Sequence, residues 1–318
     1  MPFFYAFFYI FASNLNEMEK KDITLWQDNL LTIARYDMTA LEKNIIYMVM
    51  AQIKKNDAPG DFYYVSAREI MDRVGERIDF VAFKKATKLL IGRVFETTLP
   101  NGNVLQASFV ASAEYLTGEG IIKIEISRQV LPFYLELKEK FTTFQLNAAL
   151  SLNSKYAKRL YEMLSMYKAM PNKIFTISLV ELKKLLIVID AKGKDSYPSF
   201  TDFSNRVLMP AEKEINTNTD IQFKYSVIMG ETLGRGRKPV VALKFTVSSN
   251  QPQIAENSEQ KKQILTRLTT EFGLNKTQAE KVLAENELKI VLKKLYEISL
   301  TKNTIRNIGG YTAKSFGV

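Results

Sequence analysis

The sequence predicts an α+β fold in which one helix-and-strand module is written twice, and three observations predict it. Two stretches, FYYVSAREIM from Phe62 and KIFTISLVEL from Lys173, each run from apolar, β-branched or aromatic residues into Ser-x-x-Glu and an aliphatic residue. Each is preceded by a helical pattern, LEKNIIYMVMAQI in the first case and KYAKRLYEMLSMY in the second. Each is followed by a Phe-x-x-Phe segment, Phe80 and Phe83 or Phe200 and Phe203, and then by alternating residues around a polar turn.

The leading helix of each copy is amphipathic by its periodicity. In the second copy, Ala157, Leu160, Tyr161, Leu164 and Tyr167 recur at helical spacing on one face. A short strand comes next. Ser66-x-x-Glu69 and Ser178-x-x-Glu181 then read as capping boxes, in which the serine hydroxyl takes a first-turn N–H, so a new helix starts at each serine. The Phe-x-x-Phe helix is third. Strand residues around LPNGNVLQASFVA and GIIKIEIS close the first copy, and DIQFKYSVIM, the turn GETLGRGRKP and VVALKFTV close the second. Helix, strand, helix, helix, strand, turn, strand is the order of a winged helix, a helix-turn-helix backed by a β-hairpin.

The chain therefore divides into an apolar tail at 1–24, tandem winged-helix domains at 25–140 and 141–248, a linker at 249–260 and a small helical C-terminal segment at 261–318. The linker region SSNQPQIAENSEQ is polar, holds a proline and lacks periodicity. In the last segment 11 Lys and Arg face 5 Glu, and Gly273 is placed to end its first helix.

Composition narrows the chemistry. The 318 residues are 46% hydrophobic and 25% charged, enough apolar material for two compact domains. A net charge of +10, from 44 Lys and Arg against 34 Asp and Glu, points to a polyanionic partner, nucleic acid before membrane. The chain has no cysteine, which removes disulfides and thiolate metal sites and suits a cytoplasmic location. It has no histidine, so zinc hydrolases, histidine-based triads and the usual nickase metal site lose their central residue. Neither the Gly-x-Gly of GETLGRGRKP nor AKGKDS fits the phosphate-binding loop Gly-x4-Gly-Lys-Ser/Thr. We expect no enzymatic activity, no cofactor and no metal. A nicking enzyme using one of the 15 tyrosines, or a primase, stays open on composition alone. The early stretch PFFYAFFYIFA is shorter than the roughly 20 residues that cross a bilayer. It also lacks the charged region that precedes a secretory core, so it reads as an incidental tail, with Met18 as an alternative start, and no membrane is expected as partner.

The two Phe-x-x-Phe helices present different faces. With Phe200, Phe203, Val207 and Ala211 inward, Thr201, Asp202, Asn205, Arg206 and Met209 face outward. Arginine reads guanine and asparagine reads adenine through paired hydrogen bonds, each worth ~1–3 kcal/mol of discrimination. Thr201, Asp202, Asn205 and Arg206 are therefore the candidate base readers. Ser199, after Pro198, is the expected N-cap, and Lys192 and Lys194 lie in the turn before it, where they suit phosphate. Pro210 lacks an N–H and predicts a kink or restart of the helix. Arg235, Arg237 and Lys238 make the second wing the most basic turn of the chain, and glycines let its tip approach a groove. In the first copy, Phe80, Phe83, Thr87, Leu90 and Val94 are placed inward, leaving Val81, Lys85, Lys88 and Leu89 outside. Lys84, Lys85 and Lys88 suit phosphates better than base edges, so the second domain is expected to supply most of the sequence readout.

The stretches NLLTIARYDMTALEKNIIYMVMAQI, LNSKYAKRLYEML and FSNRVLMPAEKEINTNTD, with the Gly/Arg turn before VVALKF, together resemble the initiator proteins of iteron-containing plasmids, over about Leu25 to Val247. The resemblance implies winged-helix domains bound to repeated sites, the iterons, in double-stranded origin DNA. It implies opening of an adjacent A·T-rich segment and recruitment of the host helicase and primase. It further implies a homodimer in equilibrium with monomer, a dimer surface on the first domain, and repression of the initiator's own gene by dimers on an operator inverted repeat. A winged-helix transcriptional regulator without an initiation role is the alternative.

Overall fold

A computed structural model of the chain describes residues 23–318 apart from 76, 117, 138–139, 169, 171, 232–237, 251–257, 287–289, 292–293, 296–297, 300–304 and 306. The chain forms two compact units, Met1–Pro252 and Gln253–Val318.

The first unit opens with β1 (Thr24–Asp28), α1 (Asn29–Thr32) and α2 (Ala40–Met50). It continues through β2 (Phe62–Ser66), α3 (Ala67–Val74), α4 (Phe80–Ile91), β3 (Val94–Thr98), β4 (Val104–Ser108), β5 (Val110–Leu116) and β6 (Ile121–Ile126). A bridge of α5 (Pro132–Leu135), β7 (Phe141–Gln145) and α6 (Leu146–Ser151) leads to the second copy. That copy comprises α7 (Lys155–Ser165), β8 (Ile174–Ser178), α8 (Leu179–Leu185), α9, β9 (Ile221–Met229) and β10 (Val240–Ser249). Helix α9 runs from Phe200–Phe203 through a π turn, Ser204–Leu208, into Met209–Asn218.

The two copies share one topology. In the first, antiparallel strands lie in the order β2-β6-β5, and in the second β8-β10-β9. In both, the strand before the helix-turn-helix pairs with the last strand of the wing, so the duplicated pattern folds as two winged helices. The serine caps form at both predicted starts: Ser66 Oγ accepts the Glu69 N–H at 3.4 Å and Ser178 Oγ accepts the Glu181 N–H at 3.1 Å. The Glu181 carboxylate is committed elsewhere, taking two hydrogen bonds from Arg35 at 3.1 and 3.2 Å. A reciprocal capping box forms instead at Thr39 and Glu42, before α2.

Three features depart from the sequence expectation. First, β3 and β4 pair with each other as a hairpin of their own, turning at Gly102 with φ +86, and the first wing is β5–β6. Second, β7 pairs antiparallel with β1, Thr24 opposite Gln145 through Asp28 opposite Phe141, so the expected boundary at residue 140 meets a strand that folds back on the first domain. Third, α2 and α7 are enclosed all round, although α7 is amphipathic in sequence. Residues Glu42 to Met50 and Ala157 to Ser165 are buried on every face, including Lys43, Lys158, Arg159 and Glu162. Periodicity assigns these charges to a solvated side, but inside the fold Lys43 and Arg159 pair with Glu162 and Lys158 donates to the Ala149 carbonyl.

The second unit has its own core, in which Leu268, Phe272, Ala279, Val282, Val291 and Phe316 are buried. It contains α10 (Ser258–Thr270), α11 (Lys276–Glu285) and α12 (Ile308–Phe316). Past α10, the Leu274 N–H reaches back to Leu268 O at 3.0 Å around Gly273, whose φ of +67 only glycine adopts readily. A side chain at Gly309 would collide with the Gly273 carbonyl, so the two glycines set the packing of α12 on this turn.

Candidate nucleic-acid interface

The turn before α9 is held from beneath by a buried lysine. Lys183 Nζ donates to Asp195 Oδ2 at 2.7 Å and to Tyr197 O at 2.6 Å, and lies 5.3 Å from the centre of the Phe203 ring. Asp190 Oδ1 accepts the backbone N–H groups of Lys192 and Lys194, each at 2.9 Å. The turn is thereby fixed, and both lysine side chains stand in solvent.

On α9 itself, Phe203, Val207, Leu208, Ala211 and Ile215 are fully buried and Phe200 packs half-buried against them. Thr201, Asp202, Asn205, Arg206 and Met209 are exposed. The structure thus brings the four candidate base readers together on one outward face. Ser199 is the N-cap, as expected, with the Phe203 N–H on its carbonyl at 3.0 Å, although its hydroxyl accepts no backbone N–H. Regular α-helical bonding restarts at Met209, with Pro210 in the first turn, as expected. The turn before it widens, and the Met209 N–H bonds the Ser204 carbonyl five residues back. This π turn removes the conflict between the proline ring and the carbonyl four residues earlier, and it lets adjacent Val207 and Leu208 both face the core. Ser204 Oγ and Tyr225 Oη, 2.9 Å apart, tie the π turn to β9.

The second wing is a long antiparallel pair, from Ile221 opposite Ser249 to Met229 opposite Val240. Its inner face carries buried Phe223, Leu243, Phe245 and Val247, while Lys224 and Lys244 are exposed on the other. The sequence reading did not single out these two lysines, although strict alternation with the buried residues marks them. Lys238 is exposed; Arg235 and Arg237 lie outside the described residues.

In the first domain Lys84, Lys85 and Lys88 are exposed along α4, opposite buried Phe83, Thr87 and Leu90. Phe80 and Val94, expected inward, are 54% and 52% exposed. Phe80 precedes the point where α4 meets the core and leans edge-on against Tyr115, and Val94 faces out because its β3 neighbour Phe95 faces in. With Val81, Leu89 and Ile91 also exposed, this face mixes lysine with apolar surface.

A buried charge cluster joins α7 to α2 and to the segment just before it. Glu162 in α7 accepts hydrogen bonds from Tyr47 at 2.8 Å, Tyr36 at 3.0 Å and Arg159 at 2.9 Å, and pairs with Lys43. Arg159 also donates to the Ala34 carbonyl at 2.8 Å. Burial by itself raises the Glu162 carboxyl, but the charges of Lys43 and Arg159 and the bonds from Lys43 and Tyr47 hold it below its ordinary value. Burial pulls Lys43 down to about 8 against the attraction of Glu162. It pulls Lys158 to about 7, helped by the nearby Lys43 charge.

Among the described residues, no group of three or more metal-ligating side chains is placed to hold an ion, and no helix is long and apolar enough to cross a membrane. What the geometry offers is a rigid helix with polar and basic side chains on its outer face, beside a basic hairpin.

Residues 24–165 match the family described as initiator replication protein, WH1, and residues 178–247 match initiator Rep protein, WH2. The chain is 27% identical to the PI protein of Escherichia coli over 222 residues, covering 60% of this chain and 72% of that one. It is 24% identical to a replication initiation protein of Escherichia coli over 211 residues, covering 63% and 64%. The crystal structure of Pi initiator protein in complex with iteron DNA superposes with a TM-score of 0.60 at 25% identity, over 73% of this chain and 99% of that one. The chain belongs to the family of initiator replication proteins built from two winged-helix domains, WH1 and WH2.

Proposed function

We propose that the chain initiates replication of a plasmid by binding repeated sites, iterons, in double-stranded origin DNA. The observation that carries this reading is the likeness, across both winged helices, to an initiator whose structure holds iteron DNA. In this reading α9 enters the major groove, where Thr201, Asp202, Asn205 and Arg206 meet base edges. Ser199, Lys192, Lys194 and the wing residues Arg235, Arg237 and Lys238 meet phosphates or the neighbouring groove. Lys84, Lys85 and Lys88 add backbone contacts from the first domain, whose mixed apolar and basic face also serves a homodimer in equilibrium with monomer. The dimer binds an inverted repeat and represses the initiator's own gene.

The protein works by binding alone. Bound copies open the origin, and the host helicase and its loading proteins supply the catalysis. With no membrane contact in its cycle, it acts in the cytoplasm.

Footprinting of the full chain on DNA flanking its own gene tests this reading. Protection of several direct repeats beside an A·T-rich tract is expected. Protection of a single inverted repeat with no direct repeats would instead make the chain a transcriptional regulator.

A further inference from the structure

We propose that Met209 reads the 5-methyl group of a thymine near the base held by Arg206, an assignment that rests on α9 being the base-reading helix. Met209 is 54% exposed and belongs neither to the core nor to the half-buried residues that line it. Its neighbours on the exposed side of α9 are polar: Asn205 and Arg206 before it, Lys213 after it. Met209 and the exposed Pro210 are therefore an apolar step inside a polar face.

The surrounding structure holds that step in place. Met209 is the residue whose N–H closes the π turn on Ser204, and Ser204 is bonded to Tyr225 of the wing. Val207 and Leu208 are fully buried just before it, so the backbone at Met209 cannot roll its side chain inward without expelling one of them.

In the major groove, one natural base offers an apolar group, the thymine methyl. A methionine thioether is flexible and polarizable enough to cover it. Arg206 and Met209 are both exposed on the outer side of α9 and lie within one turn of each other across the π turn, so their targets fall close together on the duplex. Arg206 then selects guanine, and Met209 favours a thymine near it.

The test uses the full chain and a duplex that it selects from a randomised pool. Each thymine is replaced in turn by deoxyuridine, which removes the methyl and leaves every hydrogen bond. Affinity is read by fluorescence anisotropy for the wild type and for Met209→Gln, a change of similar length that a helix accommodates. At one thymine the wild type should lose about fourfold on uracil, the worth of one buried methyl-sized group. Met209→Gln should lose a similar factor on the thymine duplex and nothing more on uracil. Wild-type affinity unchanged by uracil at every position, with preference over a scrambled duplex intact, overturns the role of Met209 and leaves base reading by α9 standing. Equal loss for Met209→Gln on both duplexes overturns it too. If the wild type shows no preference for the selected duplex over the scrambled one, the base-reading assignment itself falls.

Discussion

The phenol of Tyr47 donates a 2.8 Å hydrogen bond to Glu162 Oε1, and neither side chain has any exposed surface. Tyr47 lies in α2 and Glu162 in α7, far apart along the chain, so this bond and its neighbours at Lys43, Tyr36 and Arg159 join the two helices through the core. Removing the carboxylate leaves two buried cations without their shared partner. Glu162→Ala should cost about 3–5 kcal/mol in urea unfolding near neutral pH. A loss under about 1 kcal/mol would show that the cluster does not hold the two helices together.

The buried lysines make stability depend on pH in a stated direction. The folded-state pKa of Lys158 is lowered from 10.5 to about 7, so between these values the unfolded chain binds more protons than the folded one. Stability therefore rises with pH across that window, by at most about 1.4 kcal/mol per unit for one proton. Lys158→Met removes this contribution, and its advantage over the wild type should shrink as pH is raised from 7 towards 10. Parallel stability–pH curves for the two proteins would contradict it.

Ser178 and Ser199 both precede helices, but the hydroxyl of Ser178 alone caps a backbone N–H. Ser178→Ala should cost ~0.5–2 kcal/mol. Ser199→Ala should stay within ~0.5 kcal/mol of the wild type. Equal losses from the two, measured by thermal or urea unfolding, would overturn the distinction.

These contrasts mark how far the fold was legible in the sequence. Local signals carried well: the caps at Ser66 and Ser178, the buried stripe Phe203–Val207–Ala211 and the outward set Thr201, Asp202, Asn205 and Arg206 all depend on residues within a turn or two of one another. What escaped depends on partners far along the chain. Periodicity gives Glu162 and Arg159 a solvated side, because their partners Tyr36, Lys43 and Tyr47 lie more than a hundred residues earlier. The π turn was likewise hidden. Pro210 announces that an ordinary turn fails, but the choice between a break and a widened turn is made by the core that takes Val207 and Leu208 together and by Tyr225 on the wing.

The wing is assigned to phosphate or a narrow groove through Arg235, Arg237 and Lys238. Changing all three to alanine should flatten the dependence of log affinity on log salt by up to ~0.9 for each phosphate that the wing no longer neutralises. An unchanged slope, measured by titration over a range of salt concentrations, would place the wing away from DNA.

If the outer face of α9 reads base sequence, Arg206→Ala removes its guanine contact and leaves the rest of the interface in place. Affinity of the full chain is measured on its cognate repeat and on a scrambled duplex at the same salt. The variant should lose ~1–3 kcal/mol of preference for the cognate repeat while its binding to scrambled DNA changes little. Equal losses on both duplexes would make Arg206 a phosphate-binding residue and contradict base reading by α9.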